Sequence, residues 1–547
     1  MKKNLSLMLA GIICLCALSG CSKQNKEKLG KKDNKIGEVH DNQKTEIKKE
    51  LNVAVGSEIE DMNVHLYNGN MAMQNMVYEG LVKNTEKGPI PWLAEKWEIS
   101  PDGTEYTFYL RKGVKFHDGT KFDAEAVKKN IDAIQKNLKL HSWLAVSEAI
   151  KHVEIVDDYT VKLILKYAYY PTLTELGLTR PYRFISPKAF KNGETMNGLI
   201  KDVGTGPYKL IKHDSKILAE FEVNEEHWKI KPEIKKINFK VMPMGQTTML
   251  ALEKGEIDFL YTADGAQDLI DADSIKNLKE KGKIQIIQSK PIASRYLVAC
   301  TGNQNSPINE KSVRNAVWHG IDRKGMIKTV LGNSEDVAEI FFAKNNPYCN
   351  IDLENKSYDP QKAKKILDDA GWKLEEGKQY RKKEGKELSF RIFYGDKSAG
   401  EKQMMEFIQD NLKQIGIKCE LIGEDRALLY DRVKGTDYEL MVDATWGAPY
   451  DPPTMITSFT SPEIYKTATE GIQGKEEFIQ DIKNVLKSTD EKSRQDLYIK
   501  ILKKIHDEAL IIPISFTKVT IVASKKFSNI SFNQSKYEIP FEEFKVK

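Results

Sequence analysis

The chain has 547 residues, with 84 lysines and arginines against 79 aspartates and glutamates, a formal net charge of +5 and 40% apolar residues. This length exceeds what one hydrophobic core usually organises, so two or three domains are expected. The small positive charge is spread thinly, and no basic stretch with interleaved aromatic residues or nucleic-acid-binding motif is present, which excludes nucleic acid as an expected partner.

The N-terminus has the pattern of an export signal. Lys2 and Lys3 precede an apolar stretch over 5–17, which is too short for a membrane span and is typical of a signal peptide. Leu18-Ser19-Gly20-Cys21 resembles the lipobox of bacterial lipoproteins. That resemblance implies a signal peptide over 1–20, cleavage before Cys21 and a lipid on its sulfur. The polar residues that follow, up to 50, predict a flexible tether.

The segments after the tether alternate between strand and helix patterns, which predicts an α/β class. Strands are predicted at 51–55, 105–110, 161–165, 218–223, 237–241, 257–261, 284–287, 388–394, 419–422, 438–442, 511–516 and 520–523. Helices are predicted through Met76, over 124–135 behind an Asp123 cap, at 247–254, within 312–330, from Asp359-Pro360, and at 401–415, 478–487 and 493–505.

A short loop after the strand at 438–442 carries two aromatic residues, Trp446 and Tyr450. Gly447 permits backbone angles that other residues avoid, and Pro449 and Pro452 fix theirs. These residues predict a stiff loop at the carboxyl end of a strand, where α/β proteins often bind ligands. A core tryptophan in a tight turn is the structural alternative.

The motifs of common enzymes are missing from the sequence. It contains no nucleophile elbow, phosphate-binding loop, dinucleotide-binding fingerprint or His-Glu-x-x-His helix, so it does not indicate an enzyme. Its nine histidines are scattered, and Cys300, Cys349 and Cys419 lack zinc-like spacing. Whether two of these three cysteines form a disulfide stays an open alternative, but their number and spacing do not indicate a disulfide framework.

Several motifs identify a family resemblance. The segment Val-Lys-Phe-His-Asp-Gly-Thr-Lys-Phe-Asp-Ala-Glu-Ala at 114–126 resembles the signature of the peptide- and nickel-binding proteins of ABC transporters, the family 5 extracellular solute-binding proteins. The same signature is matched by four further segments, namely Gly-Thr-Gly-Pro-Tyr at 204–208, Gly-Glu-Ile-Asp-Phe at 255–259, Tyr-Asp-Pro-Gln-Lys-Ala at 358–363 and Ala-Gly-Trp at 370–372.

The resemblance implies a two-lobed, periplasmic-binding-protein-like fold of type II, with an inserted subdomain in the first lobe. Lobe one is then discontinuous, over 51–87, 204–291 and 515–547. The inserted subdomain spans 88–203, and lobe two spans 292–514. The expected receptor is a monomer.

Other stretches resemble the nickel and metal-opine branch of the family more than its oligopeptide branch. They lie at 65–67, 76–79, 91–94, 140–144, 180–184, 191–197 and 446–452. The branch resemblance implies a cleft lined by Tyr67, Met71, Trp143, Arg180, Trp446 and Tyr450. Arg180 would hold a ligand carboxylate through two hydrogen bonds, although from sequence a surface ion pair is an equal alternative. The aromatic residues would enclose the ligand, or else pack in the core, and Met71 would form an adaptable wall.

Two departures from that branch concern the metal. Relatives that bind a histidine chelate carry an arginine where this chain has Leu140, and some carry a metal-contacting histidine where this chain has none, over 461–465. The transported ligand is therefore expected to bring most of the metal's coordination sphere, and no permanently bound cofactor is expected. His141 is a candidate metal ligand if it faces the cleft, and a structural histidine is the preferred interpretation.

The function implied is a lipid-anchored receptor on the outer face of the cytoplasmic membrane, on a Gram-positive surface or else in a periplasm. It would capture nickel or a similar metal as a chelate with histidine or an opine metallophore and deliver it to ABC permease and ATPase subunits. An oligopeptide receptor is the alternative within the family. A secreted hydrolase and a signalling receptor are alternatives from other classes.

Overall fold

The computed structural model describes residues 49–262, 272–461 and 465–547. The predicted signal peptide, Cys21 and nearly all of the predicted tether lie outside these residues. From Lys48 onward the chain forms one compact unit. No helix within the described ranges is both long and apolar enough to cross a membrane.

The strands are β1 (Glu50–Val55), β2 (Val82–Thr85), β3 (Gly88–Pro91), β4 (Ala94–Ile99), β5 (Glu105–Leu110), β6 (Ile150–Asp157), β7 (Thr160–Leu165), β8 (Phe190–Lys191), β9 (Glu194–Leu199), β10 (Tyr208–Asp214), β11 (Leu218–Val223), β12 (Lys236–Val241), β13 (Phe259–Thr262), β14 (Ile284–Gln288), β15 (Ala293–Ala299), β16 (Asp336–Val337), β17 (Lys382–Lys383), β18 (Lys386–Glu387), β19 (Ser389–Gly395), β20 (Lys418–Glu424), β21 (Leu440–Ala444), β22 (Ile511–Thr517), β23 (Thr520–Ser524), β24 (Phe527–Ser528) and β25 (Lys545–Val546).

The α-helices are α1 (Met71–Val77), α2 (Ala124–Lys136), α3 (Leu138–His141), α4 (Ala145–Ala149), α5 (Thr172–Leu176), α6 (Gln246–Lys254), α7 (Ala272–Glu280), α8 (Lys311–Gly320), α9 (Arg323–Thr329), α10 (Pro360–Asp369), α11 (Ala399–Gln414), α12 (Arg426–Arg432), α13 (Pro453–Thr457), α14 (Lys475–Lys487) and α15 (Glu491–Asp507).

The first large sheet has seven strands in the order β10-β11-β12-β1-β13-β23-β14. At its centre β1 runs parallel to both neighbours, so that Val53 lies beside Phe239 on one side and Phe259 on the other. All three side chains are fully buried. A buried central strand of this kind explains why four of the five residues at 51–55 are apolar, with Asn52 as the exception, rather than alternating with polar ones.

The second large sheet has six strands in the order β16-β22-β15-β21-β19-β20. Its strand β15 is antiparallel to β21 and β22, and all of its residues are buried. Two connections link the large sheets, one from β14 to β15 and one from β22 to β23. They are hydrogen-bonded to each other, since Ser289 N donates to Val519 O at 2.9 Å and Val519 N donates to Ser289 Oγ at 2.9 Å.

A smaller antiparallel sheet has the order β4-β5-β7-β6, and α2 packs on β6 and β7. The helix begins where its cap was predicted, because Asp123 Oδ1 accepts the Ala126 N–H at 2.9 Å. Asp359 caps α10 in the same way, through the N–H groups of Gln361 and Lys362. A side-chain oxygen at the N-cap satisfies donors that the first helical turn leaves open.

Some predicted boundaries were wrong. The strand predicted at 257–261 begins at Phe259, because the Asp258 carboxylate and N–H both bond Asn52. The strand predicted at 438–442 is β21, which begins two residues later at Leu440. The three cysteines Cys300, Cys349 and Cys419 are buried and free, which answers the open disulfide question for this part of the chain. The exact lobe and subdomain limits stay predictions.

Candidate functional site

A cluster of aromatic rings joins segments from distant parts of the chain. Trp143 stacks on Trp446, with 5.9 Å between ring centroids and 22° between ring planes, and on Tyr450, at 6.4 Å and 24°. Tyr67 meets Trp143 edge-on at 5.6 Å. Offset stacked and edge-on pairs are the favourable arrangements of aromatic rings. The structure therefore brings together the four aromatic residues expected to line the cleft.

The loop that carries Trp446 and Tyr450 is held against the start of β15. Thr445 N donates to Ser294 O at 2.8 Å, and Ala448 N donates to Ile292 O at 3.1 Å. Gly447 has a φ of +80°, and a Cβ at this position would lie 2.8 Å from Ile292 O. Only glycine fits this backbone position comfortably, for both conformational and steric reasons.

The two rings of this loop differ in exposure. Tyr450 is almost fully buried, whereas 43% of Trp446 is accessible to solvent. The alternative of a tryptophan packed in the core is therefore wrong for Trp446, because a core tryptophan would not leave so much apolar surface in water.

Among the residues that the structure describes, no carboxylate contacts the buried cation Arg180 directly, and Glu60 acts on it only through space. Its exposed fraction is 7%, its Nε donates to Gln74 Oε1 at 2.8 Å, and one Nη donates to Gly69 O at 2.7 Å. No carboxylate oxygen in the described ranges lies within 4.0 Å of its nitrogens. A guanidinium has five N–H donors, so these two bonds leave donors over. The alternative of a surface ion pair is wrong.

Burial lowers the pKa of Arg180 from its usual value, since desolvation disfavours the charged form, while Tyr450 and Tyr67 act in the opposite direction. The same two tyrosines belong to the ring cluster. Arg180 therefore lies in the electrostatic neighbourhood of the rings. Burial also raises the pKa of both phenols, which stay neutral donors at physiological pH.

His141 lies beneath the ring cluster. Its Nδ1 is 2.9 Å from Tyr67 Oη, and its side chain has no exposed surface. Burial lowers the pKa of His141 to about 4, so the imidazole is neutral near pH 7. Its Nε2 has no hydrogen-bond partner in the described part of the chain. These contacts fit a histidine that orients Tyr67, and a role as metal ligand stays a prediction.

Met71 is the first residue of α1 and is half-buried. Asn70 caps this helix through bonds from Ala72 N and Met73 N, and Gln74, in the same helix, binds Arg180. Met71 is therefore on the helix that supports the arginine. Across the described ranges, no group of three or more histidine, cysteine, aspartate or glutamate side chains is arranged to hold a metal ion.

Two residues near Arg180 and the ring cluster were not predicted from the sequence. Gln74 supports Arg180 across a separation of 106 residues. Tyr537 lies 6.1 Å from Trp446 and 6.4 Å from Tyr450, measured between ring centroids. Neither residue lies in a local pattern that differs from ordinary helix or loop, so only the tertiary contacts reveal them.

A cavity of about 440 Å³ adjoins the ring cluster and shares Trp446 and Tyr537 with it. The remaining walls come mainly from β15, β21, α11, α12 and the segment around α13. The charged side chains in its lining are Arg295, Glu335, Glu401, Arg426, Asp443, Lys518 and Lys536. The site thus has a ring-walled part near Arg180 and a charged part beyond Trp446.

Comparison with known proteins extends the resemblance seen in the motifs. The family model described as bacterial extracellular solute-binding proteins, family 5 Middle, matches residues 88–467. The chain is 39% identical over 499 residues to the nickel-binding periplasmic protein of Escherichia coli (strain K12), covering 91% of this chain and 94% of that protein. It is 24% identical over 471 residues to the dipeptide-binding protein of the same strain, covering 82% and 84% of the two chains.

A solved structure gives the same result for the fold. The crystal structure of NikA from Brucella suis in complex with Fe(III)-EDTA superposes with a TM-score of 0.87 and 38% sequence identity, over 91% of this chain and all of that chain. The predicted family resemblance and the two-lobed α/β fold class are confirmed. The chain belongs to family 5 of the bacterial extracellular solute-binding proteins, which are receptors that serve the permease and ATPase subunits of ABC importers.

Proposed function

We propose that this receptor captures nickel or a similar transition metal as a chelate, with Arg180 as the anchor for a ligand carboxylate. The observation that carries the proposal is the buried guanidinium of Arg180, which no carboxylate of the described residues contacts. An unpaired buried charge is costly, and a ligand carboxylate would supply two charge-assisted hydrogen bonds. A polyaminocarboxylate or amino-acid chelate of a metal offers such a carboxylate on its surface.

The aromatic rings would shape the site around the chelate. Trp143 follows α3, whereas Trp446 and Tyr450 follow β21, so ligand contacts to these rings would hold two parts of the chain together. A ligand that contacts both sides favours the closed arrangement by its differential affinity for the two states. Contacts within the protein also join distant parts of the chain, since Tyr170 N donates to Leu486 O at 3.0 Å and the Tyr170 hydroxyl lies 2.6 Å from Tyr498 Oη.

The relatives support the choice of ligand. The E. coli relative is named for nickel, and the B. suis relative was crystallised with an iron chelate of a polyaminocarboxylate. Histidine and an opine metallophore are the chelators proposed for this chain. Cys21 is proposed as the lipid attachment point, which would anchor this extracytoplasmic receptor to the outer face of the membrane.

An oligopeptide receptor is the second candidate. It is favoured by the 440 Å³ cavity beyond Trp446, which is more space than a small chelate needs, and by the similarity to a dipeptide-binding protein. A peptide would bind there without metal.

Titration calorimetry on the compact unit from Lys48 onward distinguishes the two candidates. The ligands are nickel alone, nickel with histidine, nickel with an opine metallophore, and a mixture of short peptides. Tight binding only with a chelator, weakened in Arg180→Met and kept in Lys139→Met, supports the proposal. Lys139 is an exposed cation on α3 and is the matched control. Metal-free binding of peptides and indifference to the chelates would reject it.

A further inference from the structure

The charges in the cavity beyond Trp446 are mostly paired with one another. Arg295 donates to Glu335 at 3.0 Å, and Arg426 donates to Glu401. Glu401 also accepts the backbone N–H of Gly395 at 2.9 Å. Such pairs compensate their own charge and leave little net attraction for a ligand ion.

Asp443, at the carboxyl end of β21, is different. Its Oδ1 accepts the Ala444 N–H at 2.8 Å, and its Oδ2 accepts the hydroxyl of Tyr465. Tyr465 in turn lies 2.9 Å from the hydroxyl of Tyr296. Within residues 49–262, 272–461 and 465–547, no lysine, arginine or histidine nitrogen lies within 4.0 Å of the Asp443 carboxylate. The direct hydrogen bonds to this carboxylate therefore come from neutral donors, while Arg426, which pairs with Glu401, acts on it only through space.

The environment of Asp443 leaves room for a cation. Asp443 is half-buried and keeps surface in the cavity, and burial raises its pKa from its usual value while Arg426 acts in the opposite direction. An ammonium group would supply a cation in direct contact and up to three N–H donors. Arg180, which is outside the cavity lining, has the opposite requirement.

We propose that the cavity beyond Trp446 binds an arm of the chelator that ends in a protonated amine, with Asp443 as its anchor. This inference rests on the proposed function, because it deepens the same site. The arm would pass Trp446 and reach the carboxylate, while the metal-bound head of the ligand stays among the rings. Asp443 would then determine which chelators are preferred.

Lys536 lines the same cavity and gives the competing possibility of an acidic arm. Its Nζ donates to Thr445 O at 3.3 Å and lies 5.0 Å from the centroid of the Tyr537 ring. These contacts keep the ammonium of Lys536 near the loop that carries Trp446. The test therefore includes an arm that ends in a carboxylate.

The experiment uses three nickel nitrilotriacetate chelates whose butyl arms end in an ammonium, a methyl or a carboxylate group. Calorimetry with the compact unit should give about tenfold tighter binding of the ammonium arm than of the methyl arm, the effect of one charge-assisted hydrogen bond. The carboxylate arm should bind most weakly. Asp443→Asn should reduce the ammonium-to-methyl ratio to about one.

Asp437→Asn is the matched control, because Asp437 is an exposed carboxylate of the same segment that pairs with Arg391 and Arg432. It should keep the ratio of the unsubstituted protein. If Asp443→Asn does not fold, as judged by circular dichroism, the three chelates with the unsubstituted protein still decide the question.

Equal binding of the ammonium and methyl arms, or tightest binding of the carboxylate arm, would overturn the inference and leave the chelate receptor standing. Binding of nickel with histidine but of none of the three armed chelates would also overturn it, because the cavity would then accept no arm. Binding of peptides without any chelate would overturn the proposed function and this inference together.

Discussion

Glu79 and Arg180 are both buried charges, but only Glu79 has its hydrogen-bonding capacity largely met by the protein. Glu79 accepts hydrogen bonds from Trp92 Nε1 at 2.7 Å, Thr205 Oγ1 at 2.7 Å and Trp228 Nε1 at 3.1 Å, and lies 3.2 Å from His227 Nε2. Burial opposes its ionisation, yet these donors lower the pKa of Glu79 below its usual value.

Arg180 still has N–H donors available after it donates to Gln74 and Gly69. This difference distinguishes a buried charge that stabilises the fold from a buried charge that binds a ligand. A carboxylate surrounded by donors stabilises the folded chain by itself, whereas a guanidinium without an anion requires a partner from outside. The consequences for stability and for affinity should therefore differ at the two positions.

The largest expected effect is on stability at Glu79. Glu79→Ala leaves two indole N–H groups, a hydroxyl and a histidine without their acceptor, so the free energy of unfolding should fall by about 4 kcal/mol. Urea denaturation followed by circular dichroism measures this change. Glu98→Ala, which removes an exposed glutamate of β4, is the control and should change it by under about 0.5 kcal/mol. A loss below about 1 kcal/mol at Glu79 would contradict the structural assignment.

The second effect is on affinity at Arg180. Arg180→Met keeps most of the side-chain volume but removes the charge, so chelate affinity should fall about 100-fold, or roughly 3 kcal/mol. The free energy of unfolding should stay within about 1 kcal/mol, because removal of the uncompensated buried charge offsets the loss of the hydrogen bonds to Gln74 and Gly69. Calorimetry and urea denaturation give the two values. A large loss of stability with unchanged affinity would show that Arg180 has a structural role and not a binding role.

The third effect is on affinity at the ring cluster. Trp446→Ala removes the ring that stacks on Trp143, and affinity should fall about tenfold, since an aromatic contact contributes roughly 1 kcal/mol beyond its buried area. Stability should change little because Trp446 is partly exposed. Trp97→Ala, at a half-buried tryptophan of β4, should leave affinity unchanged. Equal affinities for Trp446→Ala and the unsubstituted protein would exclude Trp446 from the site.

The smallest effect is a pH dependence at a third buried charge, Glu175. Within the described part of the chain its carboxylate accepts bonds from the Tyr169 hydroxyl and Val146 N alone, and burial raises its pKa to about 7. Between its unfolded pKa near 4.5 and 7 the folded state holds the extra proton, so the contribution of Glu175 to stability falls as pH rises through this window.

Glu175→Gln should remove this slope, which we expect to amount to about 1 kcal/mol per pH unit within the window. Urea denaturation at several pH values between 4 and 8 measures it. At Glu79 the pKa is lowered, so the sign is opposite and its stabilisation is lost only as the pH falls into the acid range. An unchanged slope in Glu175→Gln would show that other groups cause it.

Much of the secondary structure could be predicted because its signals are local. The caps at Asp123 and Asp359 were predicted from the residue type and its position before a helical pattern. The loop after β21 was predicted from glycine, proline and aromatic residues within eight positions. The family motifs are local too, which is why the fold class could be inferred from them.

The rest of the site depends on contacts between residues that are far apart in the chain. Gln74 meets Arg180 across 106 residues, and Thr205 and Trp228 meet Glu79 across 126 and 149 residues. From sequence, Arg180 was equally consistent with an ordinary surface ion pair. No local pattern tells whether an acidic residue will lie beside an arginine after folding.

The sequence by itself determined the elements, the motifs and the types of side chain offered to the cleft, because backbone preferences and apolar patterns act over a few residues. Only the tertiary structure decided that Glu79 has its donors, that no carboxylate of the described residues contacts Arg180 and that Asp443 faces a cavity beyond Trp446. The balance of buried charges depends on which distant groups meet. That balance is set when the sheets and the segments between them pack together.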